Sequence, residues 1–510
     1  MPYVVGSTMA IPNMFTIRMH PMRILKDRFP QILDAVEPGG SGNPYAGLNA
    51  EEAAALREVT RMGFPPQSWF GYRTMGIHGF AALYQGMVMA DPGYFKDFWT
   101  KPGYLGFDDP KSFDSARMQH KAVVVAPITA AEAAQLCPQH QHRQRRQGRR
   151  RRQRLRRASR RRRQADCRLP PLQPPALDRL PRRRSDRAER RGAAARKKLT
   201  VSRIVGDVVV PGVVDPAVAA RIAVGDEVQI DNSNFLAAQT YHRHQVPGPD
   251  FTVWDQFRGP DGKPLYPQRP MLLGPLFVNA TAGSLQTGVF KGKMILVESL
   301  WDREAMPRQA DWYRKRVEAN LGKRTDESFR VWHTDHALHG DNAEQEDPTR
   351  TVSYLGVLHQ ALRDLSQWVE KGVAPPASTS YRIDDGQVVV PVSAKARHGV
   401  QPVATVTANG GAKAVVRSGQ PVRFTARVEV PPGVGKIVSA EWDFEGAGTF
   451  PVKVQLSGAP NAQLTLQTNH AFTKPGVYFP ALRVASERNG DAKTPHARIQ
   501  NLGRVRVLVE

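Results

Sequence analysis

Hydrophobic positions in the middle of the chain recur with the periods of strands and helices. The run KMILVESL (293–300) is apolar over the length of a buried strand, and RQADWYRKRVEANLG after it has helical spacing. FRVWHTDHALHG predicts a second strand that leads into a loop. TVSYLGVLHQALRDLSQWVEKG (351–372) predicts an amphipathic helix that ends at Gly372. This alternation is typical of a layered α/β fold.

The pattern differs on either side of this region. MRILKDRFPQIL and AEEAAALREVTRMGF, both near the start, have helical spacing. Short strands separated by Gly and Pro begin near Gln401 and are typical of a β-sandwich. We therefore divide the chain into a first segment at 1–136, a tract at 137–198, an α/β part at 199–400 and a C-terminal sandwich at 401–510.

The tract at 137–198 differs from its surroundings in charge. It carries 23 Arg and 2 Lys against 3 Asp and 1 Glu, so +21 of the chain's formal net charge of +25 lies there. An arginine-rich arm would bind nucleic acid by neutralising phosphates. However, the tract contains no lysine before Lys197, and no aromatic residue lies between its charges. The composition is typical of a GC-rich coding sequence read out of frame, and it predicts a disordered insert with no specific nucleic-acid partner.

Several classes of protein are excluded by what the chain lacks. Both cysteines, Cys137 and Cys167, lie in the arginine-rich tract, so neither a disulfide framework nor a thiolate metal site is predicted elsewhere. No apolar run reaches the about 18 residues of a membrane span. The first 15 residues lack the basic and apolar regions of a signal peptide. We expect neither a membrane span nor a signal peptide in this chain.

Two polar loops follow the two predicted strands. Asp302 follows the first strand, and His339 lies in the His-rich loop after the second. In an α/β-hydrolase an acid and a histidine occupy these places in this order, after the nucleophile. The acid orients the imidazole, which takes the serine proton and delivers it to the leaving group. The alternative for Asp302 is a helix cap, because a helix follows it.

These segments, with the closing helix ALRDLSQWVEKGVAPP, resemble bacterial tannases and feruloyl-esterase-like α/β-hydrolases. The resemblance implies a partial α/β-hydrolase sheet with a lid insertion, and it implies Asp302 as catalytic acid and His339 as catalytic histidine. His333 and His336 are weaker candidates for the histidine. The implied substrate is a carboxylic ester, small or polymer-linked, and no cofactor is implied. Gly340 stands where tannases have a cysteine, which implies a relative without that disulfide.

The nucleophile is the missing part of this pattern. No G-x-S-x-G motif occurs in the 510 residues. Ser41 precedes Asn-Pro and is predicted to be a turn serine, and Ser7 lacks the glycines of a nucleophile elbow. We interpret residues 3–15 as the strand after the nucleophile helix, with the elbow upstream of the first residue. The rest of 1–136, with 199–275, would form the lid, and this chain is expected to be inactive.

Two histidine clusters leave a metal site open as an alternative. YHRH would place His242 and His244 on one face of a strand, and HTDHALHGD (333–341) carries three histidines. No further carboxylate or cysteine in the pattern completes a zinc site with the first pair. We therefore predict no metal site.

The last part of the chain resembles PKD (polycystic kidney disease repeat) domains. The resemblance rests on VSAEWDFEGAGTFP (438–451) and NHAFTKPGVYFPALRV (469–484), and covers about 402–510. It implies an immunoglobulin-like β-sandwich with Trp442 in the core. Ala447 stands where the family has an aspartate, so no calcium site is implied.

Three functions follow as expectations. The first is a tannase-like ester hydrolase that acts by Ser–His–Asp acyl transfer, outside the cell or in the periplasm for an intact relative. The second is a non-catalytic extracellular binding protein, in which the PKD-type domain contacts a polymer or a protein. The third, a basic nucleic-acid binder, would use the arginine-rich tract.

Overall fold

The computed structural model describes residues 11–128, 199, 201–211, 216–272, 286–341, 345–456 and 458–510, apart from residues 74 and 76. The insert predicted at 137–198 lies outside the described residues, as does Ser7. The α-helices are α1 (Ile11–Ile24), α2 (Phe29–Val36), α3 (Ala50–Arg61), α4 (Ile77–Ala90), α5 (Pro92–Thr100), α6 (Leu105–Asp108), α7 (Pro216–Ala219), α8 (Ser233–Ala238), α9 (Arg308–Leu321), α10 (Thr325–Ser328), α11 (Leu355–Lys371) and α12 (Ala394–Arg397).

The strands form several small sheets and one sandwich. They are β1 (Gln119–Val123), β2 (Val201–Val205), β3 (Val208–Pro211), β4 (Glu227–Asp231), β5 (Met294–Ser299), β6 (Phe329–Thr334), β7 (Arg382–Asp384), β8 (Gln387–Val389), β9 (Val403–Ala408), β10 (Lys413–Val416), β11 (Pro421–Glu429), β12 (Lys436–Asp443), β13 (Val452–Lys453), β14 (Gln463–Ala471), β15 (Gly476–Tyr478), β16 (Ala481–Glu487), β17 (Ile499–Arg504) and β18 (Arg506–Val509). None of the described helices is long and apolar enough to cross a bilayer.

The chain separates into two compact units. The first extends to Tyr72 and resumes at Thr240, and the second lies between Arg73 and Gln239. The second unit contains α4 to α8 and two antiparallel strand pairs, β1 with β4 and β2 with β3. Within it Tyr94 is fully buried, and its hydroxyl donates to the carbonyl oxygen of Ala237 at 2.8 Å.

The α/β part of the first unit is built on a parallel pair of strands. β5 and β6 pair in parallel, with α9 between them in the chain. Met294 and Leu296 pack against the cluster that includes Tyr313 of α9, whereas Ile295 and Val297 pack against the cluster of α11. Successive side chains of a strand point to opposite faces, so each helix covers one face.

Two elements near the start of the first unit differ from the sequence-based prediction. The strand predicted over residues 3–15 is wrong from Ile11 onward, because those residues begin α1. Pro12 lies in the first helical turn, where its missing N–H costs no hydrogen bond. The YHRH segment is a 3₁₀ helix (Tyr241–His244) and not a strand. The predicted long helix near 351–372 is α11, and Gly372 follows it with a left-handed φ of 70°.

The C-terminal sandwich consists of three antiparallel or mixed sheets. Their strand orders are β13-β12-β16-β17, β14-β11-β9 and β10-β18-β15. Side chains along β11 alternate between exposed and buried, as expected for a strand with one solvated face. Trp442 is 1% exposed and stacks on Phe444 with ring centroids 5.1 Å apart. The predicted core position of Trp442 is thus observed.

Outside the sandwich, the described residues form mixed helices and small sheets. Ion pairs with buried arginines of the sandwich join it to the rest of the first unit. Glu37, next to the end of α2, pairs with Arg350 at 2.7 Å and also with Arg504 of β17. Asp34 pairs with Arg506 at 2.9 Å. Breaking one partner of such a pair leaves an uncompensated buried charge, so the sandwich is an integral part of this unit.

Candidate functional site: an acid–imidazole pair at the end of the parallel strands

Asp302 and His339 lie together where β5 and β6 end. Oδ2 of Asp302 is 2.8 Å from Nδ1 of His339. The two loops meet because the carboxyl ends of parallel strands lie at one edge of a sheet. Asp302 is 5% exposed, whereas 42% of the His339 side chain is exposed. A buried acid therefore orients an imidazole that solutes can reach.

The second oxygen of Asp302 fixes its own loop. Oδ1 accepts the backbone N–H groups of Glu304 at 2.7 Å and Ala305 at 2.8 Å. The residue before α9 is Pro307, so Asp302 is not the N-cap of that helix. Its carboxylate instead closes a tight loop with one oxygen and binds the imidazole with the other. The cap alternative does not describe this arrangement.

The charge state of His339 follows from its neighbours. The hydrogen bond to Asp302 raises the pKa of His339 to about 9. Burial and the charge of Arg18 act to lower this pKa, and the charge of Glu304 acts to raise it. At neutral pH the ring is therefore an imidazolium that donates its Nδ1 proton to Asp302. It can accept a proton from a substrate or nucleophile only when the pH approaches this pKa.

A buried arginine of α1 supports the loop of the acid. Arg18 is fully buried, and its Nη1 donates to the carbonyl oxygen of Arg303 at 2.6 Å. Burial lowers the pKa of Arg18 to about 10, against the attraction of Glu304. The sequence FTIRMH gave no signal of this role, because its arginine matches no motif and lies far from Asp302 in the chain.

A second carboxyl group lies on β5 close to the pair. Burial, together with the negative charge of Asp302, raises the pKa of Glu298 well above its usual range. Its Oε1 accepts the N–H of Ser299 at 3.2 Å. Burial and the charge of Asp302 thus both favour the protonated form of Glu298.

The three histidines of the 333–341 loop do not form a metal cluster. His333 is buried, which lowers its pKa to about 3, and its ring nitrogens have no hydrogen-bond partner among the described residues. Nδ1 of His336 lies 2.9 Å from Oδ1 of Asn501. Within the described ranges, the group that could hold a metal is Asp302, Glu304 and His339, whose ligand atoms lie within 4.8 Å of one another.

The other predicted histidine pair is also separated by its contacts. Nε2 of His242 is 2.7 Å from Oε1 of Glu58, and its Nδ1 is 3.0 Å from Oγ1 of Thr16. His244 directs Nδ1 to the carbonyl oxygen of Pro267 at 2.7 Å. The sequence-based reasoning missed Glu58, which is distant in the chain and is brought to His242 by α3.

Charges around Glu58 keep it ionised. Burial raises the pKa of Glu58, but Arg243 and His242 outweigh burial and hold it well below its usual range. An Nη2 of Arg243 lies 2.8 Å from Oε2 of this carboxylate. The group is therefore a buried ion pair that ties α3 to the 3₁₀ helix of His242.

Of the two candidate serines, the structure describes Ser41. Ser41 lies in a turn, where its hydroxyl accepts the N–H of Asn43 at 3.2 Å. It is the turn serine that the Asn-Pro sequence predicts. Ser7 lies outside the described residues.

A separate cleft lies between the sandwich and the start of α11. Its volume is about 920 Å³. Polar side chains from the sandwich and from α11 line it, among them Ser439, Glu441, Arg483, Gln463, Gln500 and His359. Gly356 lets α11 approach closely here, since a Cβ at this position would lie 2.0 Å from the carbonyl oxygen of Arg498.

Comparison with known proteins bears on the sandwich. No curated protein matches the chain. A crystal structure of the CARDB domain of a Pyrococcus furiosus protein, in complex with di-metal ions, is 18% identical; the match covers 22% of this chain and 93% of that one, with a TM-score of 0.17. A superoxide reductase (neelaredoxin) from Ignicoccus hospitalis is 19% identical over 21% of this chain and 80% of that one, with a TM-score of 0.13. Residues 404–498 match the PKD domain family, so this part of the chain is a PKD domain.

Proposed function

We propose that the first unit carries the acid and the base of a carboxylic-ester hydrolase of the tannase-like α/β-hydrolase class. The observation that carries this proposal is the 2.8 Å contact between Asp302 and His339 at the ends of two parallel strands. An acid that holds one ring nitrogen leaves the other nitrogen free to take a proton from a nucleophile. In the reaction the imidazole would then deliver that proton to the leaving alcohol.

The surroundings of the pair agree with this chemistry. Trp301 and Leu338, the residues next to Asp302 and His339, are largely buried in one apolar cluster. Apolar surroundings that exclude water strengthen the hydrogen bond between acid and imidazole. The exposed face of His339 is the side at which an ester would be attacked.

We further propose that this chain has no ester turnover of its own. Acyl transfer needs a nucleophile within hydrogen-bond reach of the base, and no G-x-S-x-G motif occurs in the sequence. The imidazole is also protonated at neutral pH, because its pKa is raised to about 9. We expect hydrolysis of p-nitrophenyl butyrate and methyl gallate at the same rate for the wild type and for His339→Gln.

The test is a pH titration of His339 in the full chain, followed by NMR with histidines labelled at Cε1. The His339 signal is assigned as the one that is lost in His339→Gln. We expect a pKa near 9 that falls towards 6.5 in Asp302→Asn, and a shift of the same signal when methyl gallate is added. If the pKa of His339 is near 6.5 and Asp302→Asn leaves it unchanged, the proposed acid–base pair is wrong. If the His339 signal does not change when methyl gallate is added, a phenolic ester is not the substrate.

The cleft favours a second candidate function, binding of an extracellular polymer by the PKD domain. PKD domains are typical of extracellular proteins, and side-chain amides and hydroxyls in the cleft can bind the hydroxyl groups of a neutral polysaccharide. Gln463 lines the cleft, whereas Gln467 lies on the same strand and does not line it. Loss of one hydrogen bond should weaken binding about fivefold.

Electrophoresis in gels that contain arabinoxylan tests this function. Arabinoxylan is uncharged, so the arginine-rich tract does not attract it by charge. Gln463→Ala should reduce retardation of the chain, and Gln467→Ala should leave it unchanged. Equal retardation of both variants would count against the cleft as the binding site.

A further inference from the structure

The loop that carries His339 is held by residues that lie far along the chain. The N–H of Asp335 donates to Oε1 of Gln401 at 2.7 Å, and Nε2 of Gln401 donates back to the carbonyl oxygen of Asp335 at 3.0 Å. The same Nε2 also donates to the carbonyl oxygen of Gln500 in β17 at 2.9 Å. Gln401 is 2% exposed. One buried amide therefore fixes both main-chain groups at the start of this loop and ties them to the sandwich.

The next residue of the loop has an unusual backbone. His336 has a φ of 60°, in the left-handed region that residues other than glycine rarely adopt. Its Nδ1 lies 2.9 Å from Oδ1 of Asn501 in β17, and Nδ2 of Asn501 donates to the carbonyl oxygen of Pro402 at 2.7 Å. Such a conformation persists only where the surroundings determine it. Asn501, which is 2% exposed, supplies one of the contacts that do so.

The loop then joins the loop of the acid. The ring of His336 lies 4.6 Å from that of Trp301, and the N–H of Trp301 donates to the carbonyl oxygen of Ala337 at 3.0 Å. Trp301 and Ala337 are close in sequence to Asp302 and His339. A continuous set of contacts thus runs from β17 of the sandwich to the acid–imidazole pair.

We propose that the sandwich positions the acid–imidazole pair, and that Asn501 and Gln401 are positioning residues for His339. That His339 is a base for ester chemistry rests on the proposed function; that these residues hold its loop rests on the contacts alone. The sandwich is then a structural part of the site as well as a PKD domain. Neither residue touches the reacting atoms, so each acts through the main chain of the loop.

The experiment uses the full chain and two measurements. The first is the pKa of His339, followed by NMR with Cε1-labelled histidine and assigned through His339→Gln. The second is hydrogen exchange of the backbone amides of residues 335–341, followed by mass spectrometry. The charged groups that act on His339 are Asp302, Glu304 and Arg18. None of them is altered in the test, so a change in its pKa reports a change in geometry.

We expect Asn501→Ala and Gln401→Ala to speed exchange of the loop about tenfold and to lower the pKa of His339 by about one unit, because a looser loop weakens its hydrogen bond to Asp302. Asn469→Ala, on the exposed face of β14, is the matched control and should change neither measurement. A role in stability alone would lower the melting temperature and leave the pKa in place.

The outcomes separate this proposal from the proposed function. If the Ala variants keep the wild-type loop exchange and pKa of His339, the sandwich does not position the pair, whatever the chain does with esters. If methyl gallate leaves the His339 signal unchanged while both variants shift its pKa, the phenolic-ester substrate is wrong and the positioning stands. Should Asn501→Ala fail to fold, Gln401→Ala decides the question on its own.

Discussion

The sandwich and the rest of the first unit both bury charged side chains, but these lie in different surroundings. The largest cluster of the sandwich is apolar throughout and is centred on Phe424, Trp442 and Phe444. In the other region, the single helix α1 buries two titratable side chains, Arg18 and His20. Burial of an unpaired polar group costs free energy, so such groups persist where other interactions compensate or where they serve a purpose. The two groups on which the proposed function rests, Asp302 and His339, lie outside the sandwich core.

Two carboxyl groups, one buried and one partly buried, show this difference on a smaller scale. Asp443 of the sandwich is 1% exposed and accepts the backbone N–H groups of Ala447 and Gly448, which closes a turn. Glu298 of β5 accepts one N–H, and burial and the charge of Asp302 raise its pKa. The first carboxyl stabilises a turn of the fold, whereas the second lies close to Asp302 and interacts with its charge. The aspartate that PKD domains have near Ala447 is therefore not needed for this turn.

The largest expected effect tests the sandwich core. Trp442→Ala removes a fully buried ring that packs on Phe424 and Phe444, and should lower the free energy of unfolding by about 3–5 kcal/mol. Denaturation by urea measures it. Trp312→Ala, on a partly exposed helix face, is the control and should cost less. Equal costs would show that the apolar core contributes no more than a partly exposed ring.

The next effect tests a buried ion pair in the other region. Glu58→Gln leaves Arg243 and His242 without their anion, and should destabilise the chain by about 3 kcal/mol. Glu51→Gln changes an exposed carboxylate of the same helix and should stay within about 0.5 kcal/mol. If the two variants had equal stability, the buried pair would contribute nothing and this region would not differ from the surface.

A smaller effect depends on pH and tests the acid–imidazole pair. The pKa of His339 is about 9 in the folded chain, above 6.5 in the unfolded chain. The raised value favours folding below about pH 6.5, and this contribution is lost as the pH rises through about 9. Solvent screening at the exposed ring keeps it small. The stability difference between wild type and His339→Gln should therefore shrink between pH 6 and pH 10, and a constant difference would contradict the raised pKa.

Part of this site could be predicted from the sequence because local pattern and chain order carry it. Asp302 and His339 each follow an apolar strand, and parallel strands bring their ends together. Glu58 and Asn501 could not be predicted, because each meets its histidine through a contact more than 160 residues away in the chain. The hydrophobic pattern failed at the start of α1, because a helix that buries polar side chains such as Arg18 has no clear amphipathic period.

The last prediction compares the two ends of α3, the helix that carries Glu58. At its first turn Oδ1 of Asn49 accepts the N–H of Glu52, and Oε2 of Glu52 accepts the N–H of Asn49, each at 2.9 Å. Asn49→Ala removes an exposed cap and should cost about 1 kcal/mol in urea denaturation, with Asn49→Asp near neutral. The cost is smaller than that of Glu58→Gln because water can replace the cap, whereas water does not reach the pair with the buried ring of His242. If Asn49→Ala cost as much as Glu58→Gln, solvent access would not distinguish the two ends of α3.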